Sequence, residues 1–340
     1  MKFPTISLII PTYNSQKTLE ELLVSVRNQD YQQEKLEIIL ADGGSTDTTY
    51  DLAIKYGAKM IQVTPKKLQS AEYNRAFGAH RAKGELLAFF DHDNSLPHKH
   101  WLKQMVTPFI VHEEVVGVET LRYTYDPKDT ILGRYFSLFG VNDVVPFYLG
   151  KADRLSYIYD TPSEYGVFGK GRVIKENNYF LVYFNKNHIP TIGSNGFFVH
   201  RKLLLSEARS DVHHFFHIDV NVDLIKKGYN CYAFVNDSIV HKTGERGIFD
   251  YFRRRKLFML KYGFEDFPKR RFSVYEKKDF YKLLFFIIIS VTFIKPFYDS
   301  FRGYLKIRDP AWFLHPIICF WTLAIYSVSI IEYKIKNISL

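Results

Sequence analysis

Cysteine is nearly absent: Cys231 and Cys319 are the only two among 340 residues and lie far apart. A disulfide framework is thereby excluded, and a reducing compartment fits. The N-terminus shows no charged n-region, apolar h-region and cleavage site, and runs almost at once into Ile6-Ser7-Leu8-Ile9-Ile10. No signal peptide is expected. Internal repeats and low-complexity linkers are also missing, so repeat arrays and disordered tethers drop out. Long unbroken hydrophobic runs are few. Leu283 to Ile294 is apolar on every face but only twelve residues long, and Lys295-Pro296 is expected to end it. As a helix it spans about 18 Å, short of the ~30 Å bilayer core. A second run, Trp312 to Ile331, would reach about 30 Å as a helix. His315-Pro316 interrupts it early. Too few spans remain to line a pore.

What is present is apolar, aromatic and basic. Hydrophobic residues make up 46% of the chain, ample for a core, and 340 residues suggest about two domains. Aromatics reach 17%, many of them after residue 130. The net charge is +10, and residues 251–282 concentrate it, with eleven Lys or Arg against four Asp or Glu. Tyr251, Phe252, Phe258, Tyr262, Phe264 and Tyr275 are interleaved there. Such a patch suits nucleic acid or anionic lipid headgroups. The apolar runs that follow decide for lipid. Trp312, Trp321, Tyr326 and Tyr333 are placed for the headgroup level, and Lys334 and Lys336 lie beyond. Two buried helices of a soluble core would need no such belts. No specific nucleic acid is expected. The positive-inside rule puts both flanks on the cytoplasmic face, joined by a hairpin of two spans or by a re-entrant segment plus one span.

The first 100 residues alternate strand and helix signals, which predicts a parallel sheet. Strands are expected at Ile6–Ile10, Leu36–Leu40, Lys59–Val63 and Glu85–Phe90. Helices are expected over about 48–56 and 69–83, with another after Asn14 or Ser15 as cap, its apolar face Leu19, Leu22, Leu23 and Val26. Residues 115–190 lose the rhythm and read as extra strands and long loops. A last strand, Cys231–Val235, is followed by Ile239-Val240-His241.

The strand at Glu85–Phe90 runs into Asp91-His92-Asp93. Open α/β sheets bind ligands at the C-terminal edge of their strands. Alternate residues of an extended chain share a face, so Asp91 and Asp93 can reach one ion or sugar. Hard oxygen ligands of this kind suit Mg²⁺ or Mn²⁺ with phosphate oxygens completing the sphere. The bland alternative is a solvated acidic turn. His213-His214-x-x-His217 has a two-histidine spacing that suits zinc, but no Cys is near and no third ligand class is placed. His92, His98 and His100 are similarly suggestive and similarly unsupported.

Together, Ser7-Leu-Ile-Ile-Pro-Thr-Tyr-Asn14, Ala41-Asp-Gly-Gly-Ser-Thr-Asp-Thr-Thr49, Ala71 to Asn74, Ala82-Lys-Gly-Glu85, Phe90-Asp-His-Asp93 and Gly193-Ser-Asn195 are ordered motifs. Over about residues 4–245 the chain resembles the inverting family 2 glycosyltransferases. The resemblance implies an α/β GT-A fold, a Rossmann-like mixed sheet for nucleotide-diphospho-sugars, here with C-terminal membrane-associated helices. It implies domains at 1–245 (glycosyltransferase), 246–282 (basic aromatic juxtamembrane segment) and 283–335 (hairpin, or re-entrant segment plus span).

The same resemblance implies roles. Pro11, Tyr13 and Asn14 would frame the nucleotide base, and Asp42 would accept from its ring N–H, as a carboxylate does well. Asn74 and Arg75 would lie near the diphosphate. Asp91, with His92 beside it, would contact the donor, and Asp93 would ligate the metal. His241 would add a ligand or touch the phosphates. Inverting transfer needs a base for the acceptor's proton. Phe216-His-Ile-Asp219-Val-Asn-Val-Asp223 stands where the family has Glu-Asp, without the Glu. Asp219, at the start of a helix, is the chosen base; Asp223 and His217 stay open, and a helix cap is the plain reading of Asp219. Gly43 and Tyr73 stand where relatives often carry Asp and Arg. No Gln-x-x-Arg-Trp motif occurs near 250, which argues against a processive polysaccharide synthase. The implied enzyme takes a sugar from a nucleotide-diphosphate sugar, a UDP-sugar by default, with Mg²⁺ or Mn²⁺. Its acceptor would be polyprenyl-phosphate-linked or a glycan. The rival expectation is a non-catalytic nucleotide-sugar-binding or scaffolding module.

Overall fold

The computed structural model describes residues 3–65, 69–165, 171–187, 189, 191–243, 247–266, 270–273 and 275–338. Two compact units divide the chain: 1–124 with 168–242, and 125–167 with 243–340. Residues 125–167 group with the C-terminal segment.

The first unit is built on a ten-stranded sheet. Its strands are β1 (Ile6–Thr12), β2 (Leu36–Asp42), β3 (Lys59–Gln62), β4 (Leu86–Phe89), β5 (Asn94–Ser95), β6 (Val115–Tyr123), β7 (Arg172–Lys175), β8 (Tyr179–Tyr183), β9 (Phe197–His200) and β10 (Cys231–His241). Helices α1 (Leu19–Arg27), α2 (Thr49–Lys55), α3 (Ala71–Ala79), α4 (Trp101–Val111), α8 (Arg201–Glu207) and α9 (His217–Lys226) belong to the same unit. The order is β3-β2-β1-β4-β9-β6-β10-β8-β7, with β5 paired to β10. β1, β2, β3 and β4 run parallel, with Thr12 opposite Asp42 and Ile9 opposite Phe89. β9 is antiparallel to both β4 and β6, and β10 is parallel to β6. The C-terminal ends of β1, β2, β4, β6 and β10 therefore share one edge, and β9 begins there. One sheet face buries Leu8, Ile10 and Leu40 against Leu19, Leu22, Leu23 and Val26 of α1. On the other, α3 lies close because residue 78 is glycine: a Cβ there would come within 2.7 Å of Ile9 Cγ2. The expected elements of the first 100 residues are present, each within a few residues of the expected ends. Helix α1 differs at its start. It begins at Leu19 without a side-chain cap, because Asn14 and Ser15 are bonded elsewhere.

In the second unit, α5 (Ile131–Phe139), α6 (Val144–Leu149), α7 (Pro162–Tyr165), α10 (Ile248–Leu260), α11 (Phe280–Thr292), α12 (Ile294–Lys306) and α13 (His315–Ile338) form an all-helical body. The expectation of strands and loops over 115–190 holds for β6, β7 and β8 but fails over 131–149. The helical signals there are local. Thr130 Oγ1 accepts from Gly133 N and Asp143 Oδ1 from Val145 N, while Gly140 and Gly150 end the two helices in the left-handed region. Lys295-Pro296 does not close a helix as expected. The chain turns at Phe293, and Pro296 sits in the first turn of α12, where proline is tolerated. Pro316 likewise sits in the first turn of α13. Among the described residues, Pro310–Ile335 is one stretch long and apolar enough to cross a membrane; Lys277–Thr292 and Ile294–Lys306 meet at 81°. Phe285, Ile288 and Val291 of α11, Phe297, Phe301 and Leu305 of α12, and Phe320, Trp321 and Ile331 of α13 are exposed.

Candidate active site

The shared sheet edge gathers polar groups from strands that are apolar along their length. At the end of β2, Asp42 is almost fully buried. Its Oδ1 accepts from Thr12 Oγ1 (2.9 Å) and Ser45 Oγ (2.5 Å), and its Oδ2 from Gly44 N and Ser45 N (each 2.8 Å). Four donors from its own surroundings fill a carboxylate's acceptor sites. Asp42 here holds the β1 and β2 loops together. Beside it, Pro11 is buried within β1 and Tyr13 is 64% exposed. Asn14 takes a φ of 49°, a left-handed conformation that Asn tolerates, and its Oδ1 accepts from Thr46 N at 2.8 Å. Ring and loop thus face open space at the mouth of β1.

Helix α3 contributes Asn74 and Arg75. Asn74 Nδ2 donates to Ala41 O at 3.1 Å, while its buried Oδ1 has no hydrogen-bond partner among the described residues. Arg75, 3% exposed, donates to Glu72 Oε1 (2.8 Å) and to Asp91 Oδ1. Burial works against the charge on Asp91, but the Arg75 guanidinium, with His241 and His92, outweighs it and holds the carboxyl below its usual value. His92 turns its Nδ1 to Thr18 Oγ1 (2.7 Å).

Asp93 sits differently. Burial pushes its carboxyl up, and the Asp91 charge adds to this against the pull of His241. Among the described residues its buried Oδ1 has no hydrogen-bond donor, and His241 Nε2 stands 3.6 Å away. Asp91, Asp93 and His241 each offer a ligand atom within 4.8 Å of the others, the one such group of three among the described residues. An anionic oxygen buried without a donor is an unfavourable arrangement that a cation relieves. The residues therefore fit a divalent metal of the kind bound by oxygen and imidazole. A chain of amides braces the group: Asp91 N donates to Asn94 Oδ1, Asn94 Nδ2 to Asn195 Oδ1, and Asn195 Nδ2 to Tyr123 Oη. The Tyr123 ring lies 5.4 Å from that of His241.

The histidines at 213–217 do not converge on a metal. His213 packs on the Tyr73 ring, and His214 Nδ1 pairs with Asp211 Oδ1 at 2.8 Å. His217 opens α9 and binds Glu72 twice: Nδ1 to Oε1 at 2.7 Å and the backbone N to Oε2 at 2.9 Å. Burial opposes the Glu72 charge, yet His217 and Arg75 bring its carboxyl down to about 2. Asp219 is fully buried in the first turn of α9, and Asp223 Oδ2 accepts from Arg209 N at 3.0 Å. The structure thus brings Arg75, Asp91, Asp93 and His241 together. It also adds Glu72, Tyr123, Asn94 and Asn195, which the sequence reading gave no role. For Glu72 the only local signal is an acidic residue in the first turn of a helix after Ser70, which reads as helix-dipole compensation.

Residues 7–175 match the sequence family described as glycosyl transferase family 2. The glycosyltransferase AglE of Haloferax volcanii is 31% identical over 138 residues, 39% of this chain and 45% of that protein. The GalNAc(5)-diNAcBac-PP-undecaprenol beta-1,3-glucosyltransferase of Campylobacter jejuni is 33% identical over 102 residues, 27% of this chain and 31% of that protein. The matches thus span less than half the length of these relatives. Among solved structures, the mannosyltransferase PcManGT of Pyrobaculum calidifontis, in complex with GDP-Man and Mn²⁺, superposes with a TM-score of 0.52 at 16% identity. It covers 97% of this chain and 88% of that one, a likeness of fold.

Proposed function

The chain belongs to glycosyl transferase family 2, and from that premise we propose that it moves a sugar from a nucleotide-diphosphate sugar to a lipid-linked acceptor, with inversion. The observation that carries the reading is the Asp91–Asp93–His241 group, with its donorless buried oxygen, at the edge where β1, β2 and β4 end. When bound there, Mg²⁺ or Mn²⁺ would supply positive charge to the departing diphosphate. Tyr13 and the Asn14 loop would frame the base of the nucleotide, UDP by default. Asp42 would act by fixing that loop rather than by a bond of its own to the base. Arg75, committed to Glu72 and Asp91, would act on the donor by holding Asp91 ionised and in place.

The test uses the purified full chain with UDP-glucose, UDP-N-acetylglucosamine and GDP-mannose, with Mn²⁺ and then with excess chelator. Release of nucleoside diphosphate from at least one donor is expected, and chelation should abolish it. No release from any of them with metal present would return the chain to the class of idle binding modules.

The acceptor class is drawn from relatives whose names specify polyprenyl-linked glycans and from the C-terminal helices. Outward Phe, Ile and Leu on α11, α12 and α13 suit a bilayer interior, and the basic residues of 251–282 suit its anionic surface on the cytoplasmic side. Attachment would confine the enzyme to the surface where such acceptors sit, which raises their effective concentration. The full chain should therefore float with phosphatidylglycerol-containing vesicles and stay bound at high salt, since apolar area and not charge would hold it. Recovery in the soluble fraction would remove the membrane from the reading.

A further inference from the structure

Resting on the transfer reading above, we infer that His217, backed by Glu72, takes the acceptor's proton, and that the acceptor group is therefore a hydroxyl rather than a phosphate. Three observations place the pair. Glu72 is held ionised, so it can only accept, and Nδ1 of His217 must donate to it at 2.7 Å. That leaves Nε2 with a lone pair on a ring whose side chain keeps 23% of its surface open. The second oxygen of Glu72 takes the His217 backbone N–H at 2.9 Å, which fixes the ring and the start of α9 as one piece.

Third, the pair is tied to the donor side of the site. Arg75 grips Glu72 with one nitrogen and Asp91 with the other. Gly193, at φ 119°, closes down on the same turn: a Cβ there would stand 2.6 Å from His217 O. The carboxylates of α9 are placed otherwise, Asp219 wholly buried and Asp223 bonded to Arg209 N. The charged groups that act on or with the imidazole are Glu72, held by Arg75 of the same helix, and Asp91 at the end of β4.

The chemistry names the acceptor class. As the acceptor oxygen bonds to the anomeric carbon, that carbon's bond to the diphosphate oxygen breaks. The electron pair leaves with the nucleoside diphosphate. A hydroxyl must shed its proton in this step, and Nε2 receives it, with Glu72 balancing the imidazolium. A phosphate acceptor is already ionised near neutral pH and would leave an oriented imidazole–carboxylate pair with nothing to do. His217 is thus a catalytic residue and Glu72 a positioning residue.

The experiment uses the full chain with Mn²⁺ and a donor that it hydrolyses. Two probes compete as acceptors: farnesyl diphosphate-linked N-acetylglucosamine, which offers hydroxyls, and farnesyl phosphate. Transfer is expected to the first. His217→Ala should bind donor with unchanged affinity by calorimetry and lose roughly 100-fold or more in kcat, on the hydroxyl probe and on water alike. Added imidazole should restore part of that loss, which a merely structural role would not permit. Glu72→Gln should shift the acid limb of the kcat–pH profile to lower pH, because the imidazolium loses its counter-charge. A His217→Ala enzyme within threefold of wild type, or wild-type transfer faster to farnesyl phosphate, overturns the inference while leaving the transferase reading intact. Failure of the wild type to bind or break down any donor overturns both.

Discussion

Replacing Asp93 by asparagine is expected to lower metal-dependent turnover by about three orders of magnitude, on the order of 4 kcal/mol in barrier. The substitution keeps size and shape and removes only the charge. Asp93 Oδ1 is buried without a donor among the described residues, beside a second carboxylate and 3.6 Å from an imidazole. In that position the charge suits a cation held jointly with Asp91 and His241. Calorimetry should show Mn²⁺ binding in the presence of nucleoside diphosphate weakened by at least 10-fold. Stability should rise or hold, because a charge that burial and the neighbouring Asp91 both disfavour is gone. If Asp93→Asn left both turnover and Mn²⁺ binding unchanged, the metal would have to sit elsewhere and Asp91-His92-Asp93 would revert to an acidic turn. The same substitution at Asp91 is expected to behave differently. Arg75 would lose one of its two carboxylate partners, so stability should fall along with turnover.

Much of this was legible because the decisive signals are local. Apolar runs that end in polar residues marked β1, β2 and β4, and parallel pairing follows from strand–helix alternation. Once those strands pair in register, Asn14, Asp42 and Asp91 must share an edge, and no side-chain detail is needed to see it. What stayed hidden depends on contacts far apart in sequence. Glu72 and His217 are separated by 145 residues, and nothing beside either one announces the other. Asp42 offers a subtler lesson. The family resemblance implies a bond from this carboxylate to the nucleotide base, and nothing in the sequence shows the four hydrogen bonds it accepts from Thr12, Gly44 and Ser45. Helices α5 and α6 were missed because Tyr and Phe weigh toward strands, although Thr130 and Asp143 cap both helices.

Arg75→Met should strongly destabilise the first unit while leaving the metal ligands themselves unchanged. The guanidinium is 3% exposed and stands between two carboxylates, Glu72 and Asp91. Methionine fills a similar volume and leaves the buried Glu72 and the partly exposed Asp91 facing an apolar group. Removing one member of a buried ion pair typically costs ~3–5 kcal/mol. For a unit of this size that corresponds to a melting temperature lower by roughly 10 °C, measurable by scanning calorimetry. The pH dependence gives an independent reading. Glu72 falls from an ordinary 4.5 to about 2 in the folded protein. Such a depressed carboxyl contributes stability that is present above 4.5 and is lost as pH falls toward 2. Without Arg75 the folded value rises, so the acid-side loss should start from a smaller contribution and the two stability curves should converge between pH 4.5 and 2. A variant whose curve ran parallel to wild type over that range would show that His217 alone holds Glu72 ionised. Turnover separates the two duties of the residue. Loss of kcat at unchanged donor affinity would place its main effect on the Glu72–His217 pair, and loss of donor affinity would place it on Asp91.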